Sequence, residues 1–239
     1  MNGNPDESPT ERWSGAWIDL TAFAGGLALA WFADWQARDL IWSLWLSSLV
    51  VGYAMIVWTL STTLREFAGN ALRDRSAGSG AIKIGGGALL GAGFLFGLAF
   101  FTVHFGGFHF VHSAFLQTFF PIAVNGEVVR GFPSEALYRE VVRSYWMFVP
   151  LAFLAERDGF RRPRAAEADT AVTPEAIKRR QRAAGGAMFA PYRNVVRLHL
   201  LIFFFAGAIV LRLDHFAIYA VVYAVYFFPW RVAKGRNGK

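Results

Sequence analysis

The stretch HFGGFHFVH, His104 to His112, lies between two strongly apolar runs and carries three of the chain's five histidines. Whether it turns or runs straight decides how many helices the chain contains. Ionisable side chains at membrane depth are rare and costly, so three imidazoles this close together call for a function or a buried partner. On one uninterrupted helix His109 and His112 would be i, i+3 neighbours, whereas His104 and His112 would be separated by about 12 Å of rise. The Gly106-Gly107 pair predicts a tight turn instead, which joins the end of a third helix to the start of a fourth and lets the histidines converge.

Working outward, 55% apolar and 17% aromatic residues in a chain of 239 exclude the ordinary soluble case and indicate a polytopic membrane protein. Cysteine is absent, which removes disulfides, thiolate metal sites, cysteine nucleophiles and cysteine lipidation together. Any metal would rest on histidine, carboxylate or carbonyl ligands. The net charge of +7 points to anionic lipid at cytoplasmic helix ends rather than to nucleic acid. The polar tail of residues 1–15 has no basic region leading into an apolar core, so it does not read as a cleaved signal peptide.

A first apolar run, about Ala16 to Ala33, is just long enough to span a hydrocarbon core about 30 Å thick, with Trp13, Trp17, Trp31 and Trp35 flanking it as an interfacial belt. In the second, about Asp39 to Leu60, Asp39, Ser43 and Ser47 recur at i, i+4, i+8 and put a thin polar stripe on one helical face. Two readings apply to it: a substrate-lining face, or serines bonding back to carbonyls one turn earlier. Residues 61–83 turn polar and read as a loop. The third run, about Ile84 to Val103, is glycine-rich, but no Walker or Rossmann spacing is present. Gly87-xxx-Gly91 and Gly93-xxx-Gly97 are small-xxx-small pairs suited to close helix packing.

A fourth run extends from about Phe108 to Val124. The fifth, Ala136 to Ala155, is either a span or an interfacial helix, because Arg139, Glu140 and Arg143 occupy its first half. Residues 156–190 form a basic, flexible loop with a short helix around Pro174 to Ala183. Residues 191–230 hold the last two runs, the first containing His199, and residues 231–239 are a basic tail. The whole is an all-α transmembrane bundle of six or seven helices in the inner membrane, and the basic loop and tail place the C-terminus in the cytoplasm. Six spans put every basic segment inside, while the apolar core of the fifth run favours seven.

Two motifs carry a resemblance. FFTVHFGGFHFVHSAFL (Phe100 to Leu116) and MFAPYRNVVRLHLLI (Met188 to Ile202) are similar to patterns of an uncharacterised family of polytopic bacterial and archaeal membrane proteins, a domain of unknown function. WLSSLVVG (Trp45 to Gly52) is a weaker match. The resemblance singles out His104, His112, Pro191, Tyr192 and His199, and leaves His109 and His215 outside. Phe105 stands where the family has tyrosine, and Ser47 and Ser48 where it has Glu and Asn, so a shared polar centre would here lack a carboxylate. The family implies no activity.

The sharpest chemical reading is a transition-metal or haem centre with His104, His112 and His199 as ligands and His109 as an alternative, since neutral imidazoles bind Zn, Cu, Fe and Ni and bundle sites draw ligands from facing helices. The plainer reading is interhelical hydrogen bonding that fixes packing. The polar stripe supports a small-solute transporter, and the phenylalanine-rich helices support a non-catalytic subunit of a homo-oligomer or larger membrane complex. Intramembrane serine proteolysis finds no Gly-x-Ser-Gly nucleophile in any apolar run.

Overall fold

The computed structural model describes residues 9–73, 80–128 and 132–160, together with isolated positions between 196 and 224. These residues are mostly helical: α1 (Pro9–Phe32), α2 (Ala37–Arg73), α3 (Gly80–Phe119), α4 (Glu135–Tyr145) and α5 (Val149–Ala155). A two-stranded hairpin, β1 (Ala123–Val124) and β2 (Glu127–Val128), connects α3 to α4. It closes through Asn125 and Gly126, both at positive φ, the backbone that suits a tight hairpin turn. Two short 3-10 turns, Trp146–Phe148 and Arg157–Phe160, flank α5.

The turn expected at Gly106-Gly107 is not formed. α3 runs through the glycine pair for 40 residues and fuses what the sequence reading separates into a third and a fourth run. The physical reason lies on its buried face, where Phe105, His109, His112, Leu116 and Phe120 follow one another at spacings of three and four residues. A break at the glycines would split that face. It would also strip apolar backbone of its hydrogen bonds, which an apolar environment penalises far more than the weak helix preference of two glycines.

A second difference concerns residues 61–83. The helix of α2 continues to Arg73 and α3 already starts at Gly80. The hydroxyls of Thr62 and Thr63 fold back onto the carbonyls of Trp58 and Thr59, and no proline or glycine interrupts the stretch before Gly69. α1 likewise reaches back to Pro9, inside the expected polar tail, with proline at a first-turn position it tolerates.

The chain divides into two compact units. The first comprises Met1–Ser47, Ser113–Asp158 and Arg197–Lys239. Here the segment from Tyr145 to Arg157 runs antiparallel along α1. At one end Trp35 meets the rings of Tyr145 and Phe148, with centroids 5.5 and 5.8 Å away. In the middle Leu151 lies against Gly25, where a Cβ would come within 3.1 Å of it. At the other end Arg157 donates to Asp19, a nearly buried ion pair. α4 is capped by Ser134, whose hydroxyl accepts from the Leu137 N–H at 3.3 Å, and it buries Leu137, Val141 and Tyr145.

The second unit comprises Ser48–His112 and Gly159–Val196. Its core is the Phe105 ring, which fills the space left by Gly52 and packs with Ile56, Leu49, Tyr53, Leu60 and Phe101. Tyr53 and Thr102 share a hydroxyl–hydroxyl bond of 2.8 Å, and Leu60 approaches Gly97.

Two helices are long and apolar enough to cross a membrane: Ala37–Arg65 within α2 and Gly85–Phe119 within α3. The apolar part of α1, Trp17–Phe32, is shorter. The two long helices differ in packing, with 72% of the apolar window buried in α2 and 6% in α3. Leu89, Leu95, Phe96, Phe100, Val103 and Val111 all stand exposed on α3. Among the described residues nothing comes within 4 Å of a Cβ built at Gly87, Gly91 or Gly93, so of the four expected packing glycines only Gly97 receives a neighbour.

Candidate functional site

In the second unit the centre is His109, fully buried on the one turn of α3 that follows Phe105. Its Nδ1 lies 3.0 Å from the Phe105 carbonyl oxygen and its Nε2 lies 3.2 Å from Ser48 Oγ. A carbonyl only accepts, so Nδ1 must carry the proton. Nε2 is then the basic nitrogen and accepts from the serine hydroxyl. Such a backbone carbonyl contact is how proteins fix which imidazole nitrogen is left for a metal or a proton. One turn on, His112 is equally buried, and the two ring centroids stand 6.3 Å apart, nearly edge to face. Both imidazoles therefore belong to one buried patch.

His104 does not join it. The side chain is exposed, its ring stacked on Phe100 at 5.4 Å and edge-on to Phe108 at 5.1 Å. On the continuous helix it stays about 12 Å of rise from His112. The convergence expected of His104 and His112 depended on a turn that α3 does not make. The third expected ligand, His199, and the motif residues Pro191 and Tyr192 lie outside the described residues, as do His215, residues 161–195 and the tail after Ala224. Among the described residues no group of three or more histidine, aspartate or glutamate side chains stands ready for a metal ion.

The polar stripe of α2 resolves into separate tasks in the first unit. Asp39 accepts from the Gln36 N–H at 2.9 Å, as a helix-start residue does, and from Tyr145 Oη at 2.7 Å. Ser43 is fully buried and bonds back to the Leu40 carbonyl at 2.8 Å. Ser47, 4% exposed, makes no such bond, and its Oγ has no hydrogen-bond partner among the described residues.

Facing elements of the same unit add polar groups that sequence reasoning passed over. Ser113 is fully buried and bonds to Tyr138 Oη at 2.8 Å. The Tyr138 ring stacks on Trp45 at 5.8 Å, and Trp42 Nε1 donates to the Phe120 carbonyl at 2.8 Å. Gln117 is buried one turn beyond Ser113. A signal for these residues was available, since His109, Ser113 and Gln117 recur at i, i+4, i+8 as Asp39, Ser43 and Ser47 do. All three lie inside the expected fourth run, but residue order does not show that Ser113 and Gln117 are buried; the packing of facing elements such as α4 does. Ser48 was noticed only as a departure from a family pattern.

No curated protein and no solved structure matches the chain. A family model does match, over residues 6–228, and covers both units and every residue of the two polar centres. The chain belongs to that family, DUF6498, a family of unknown function.

Proposed function

We propose that the protein is a multi-pass inner-membrane protein that holds a transition-metal ion at His109 and His112. One observation carries the reading: two imidazoles one turn apart, both buried, with the Nδ1 proton of His109 fixed by a backbone carbonyl so that Nε2 is the ligand nitrogen. His199 is the sequence's candidate for a third ligand. To reach Nε2 the ion takes the place of the Ser48 hydroxyl, and with the Phe105 ring filling the space at Gly52 an ion suits this centre better than the much larger haem.

The fused third and fourth runs also bring the span count and the charge rule together. Counting one helix from Gly80 to Phe119, taking the segment to Arg157, which lies along α1, as a span, and adding the two apolar runs of residues 191–230, the total is six. Both termini and the basic segments at 65–83 and 157–193 then face the cytoplasm, as the positive-inside rule asks. The Tyr145–Arg157 crossing is only about 20 Å long by helical rise. Arg157 therefore reaches the inner edge of the hydrocarbon still partly desolvated, where pairing with Asp19 is what makes its charge tolerable.

The test is metal content of the detergent-purified protein. Near-stoichiometric Zn, Cu, Fe or Ni, lost in both His109→Ala and His112→Ala, is the expected result. Folded wild-type protein free of metal, or full metal retention in the double variant, overturns the reading.

A further inference from the structure

The geometry points to a second site, in the first unit: a buried pocket of neutral hydrogen-bonding groups, formed by Ser47, Ser113, Gln117 and Tyr138, that binds a small uncharged solute of the polyol or urea type. It does not depend on the metal reading, since it shares no residue with the histidine pair.

Three helices meet there. Trp42 on α2 holds the Phe120 carbonyl at the end of α3, which sets an antiparallel register between the two helices. Ser43 and Gln117 lie one residue and three residues from that contact on their own helices, and one further turn along each brings Ser47 near the level of Ser113. α4 closes the third side, with Tyr138 stacked on Trp45 of α2 and bonded to Ser113 of α3. Ser47, Ser113 and Gln117 are each at least 96% buried.

Ser47 shows that the pocket is more than packing. A helical serine can always satisfy itself by bonding to a carbonyl three or four residues back, and Ser43 on the same face does so. Ser47 instead leaves its hydroxyl buried and unbonded among the described residues, which costs stability unless a ligand completes it. The group that completes it should be neutral. Ser47, Ser113, Gln117 and Tyr138 all lack formal charge, so neither an anion nor a cation would find a counter-charge among them. Hydroxyls and a carboxamide both donate and accept, so a solute that does both is the best match. The flat Trp45 and Tyr138 rings supply an apolar wall of the kind that such sites use.

The absence of native cysteine allows a clean test on the full chain. Ser47→Cys and Leu46→Cys occupy neighbouring positions with the same 4% exposure, so burial alone predicts equal reactivity. Purified variants are treated with methyl methanethiosulfonate, a small neutral thiol reagent, with and without glycerol or urea. The expected result is labelling at least about fivefold faster at Ser47→Cys, the factor that one net hydrogen bond is worth, with protection by one of the solutes. Equal rates at the two positions overturn the pocket. Faster labelling that neither solute slows overturns the ligand class. If Ser47→Cys does not fold, Ser113→Cys against Leu116→Cys, both fully buried, gives the same comparison.

Discussion

Adding one methyl group at position 52 tests how tightly the core around the histidines is built. A Cβ there would stand 2.5 Å from Phe105 Cζ and 3.3 and 3.4 Å from its two ε carbons. Phe105 is fully buried, and its ring is hemmed in by Ile56, Leu49, Tyr53, Leu60 and Phe101, so it cannot swing aside. Overpacking of this kind costs about 1–3 kcal/mol. Against it, alanine is favoured over glycine in a helix interior by about 0.8–1 kcal/mol. Gly52→Ala should therefore destabilise by about 1 kcal/mol net, within a range of about 0–2. Gly86→Ala is the matched control: nothing described lies within 4 Å of its Cβ, so only the propensity gain of about 0.8–1 kcal/mol applies. The steric effect is the difference between the two variants, read from equilibrium unfolding by SDS titration in mixed micelles with far-UV circular dichroism. Gly52→Ala as stabilising as Gly86→Ala would refute the argument. A further check is Phe105→Leu, which should be less harmful in the Gly52→Ala background than in the wild type, because contacting residues couple.

Asp19→Ala leaves the Arg157 guanidinium nearly buried without its carboxylate, and removing one member of a buried pair should cost about 3–5 kcal/mol in the same titration. Arg157→Met in that background should restore part of the loss, and no restoration would show that Asp19 acts through something other than the ion pair. Tyr145→Phe removes one hydroxyl bonded to the Asp39 carboxylate at 2.7 Å and should cost about 1.5–3 kcal/mol. A loss of the same size in Asp39→Asn/Tyr145→Phe as in Asp39→Asn alone would confirm that the two residues act as one contact, and additive losses would contradict it.

The elements that repeat along one helix were the ones open to reading from residue order. His109 and His112 as i, i+3 neighbours, the small polar stripe at Asp39, Ser43 and Ser47, and the apolar runs of α2 and α3 all follow from spacing on a single chain segment. The glycine pair at 106 and 107 misled because glycine is equally at home in a turn and in a helix whose other face is held by packing. What decides between them is a fit between Phe105 and Gly52, more than fifty positions apart in the chain. The different exposure of His104 and His109 was not legible for the same reason. Both carry an imidazole in an apolar run, and only the packing of the folded chain, with Ser48 opposite His109, separates the buried ring from the exposed one.

If α3 crosses a bilayer, as proposed above, its unbroken length has a consequence for the lipid itself. Its apolar portion of 35 residues measures about 52 Å along the axis, against a hydrocarbon core of about 30 Å. Even at a tilt of about 40°, the steepest that membrane helices usually adopt, it still rises about 40 Å along the membrane normal. Some nine residues' worth of apolar helix must then be sheltered by locally thickened lipid or stand in the headgroup layer, by the same rise and tilt. If Phe119 marks the outer surface, those nine are the glycine-rich turns beginning at Gly85, the thinnest part of the rod and the part that headgroups and acyl chains can most easily enclose.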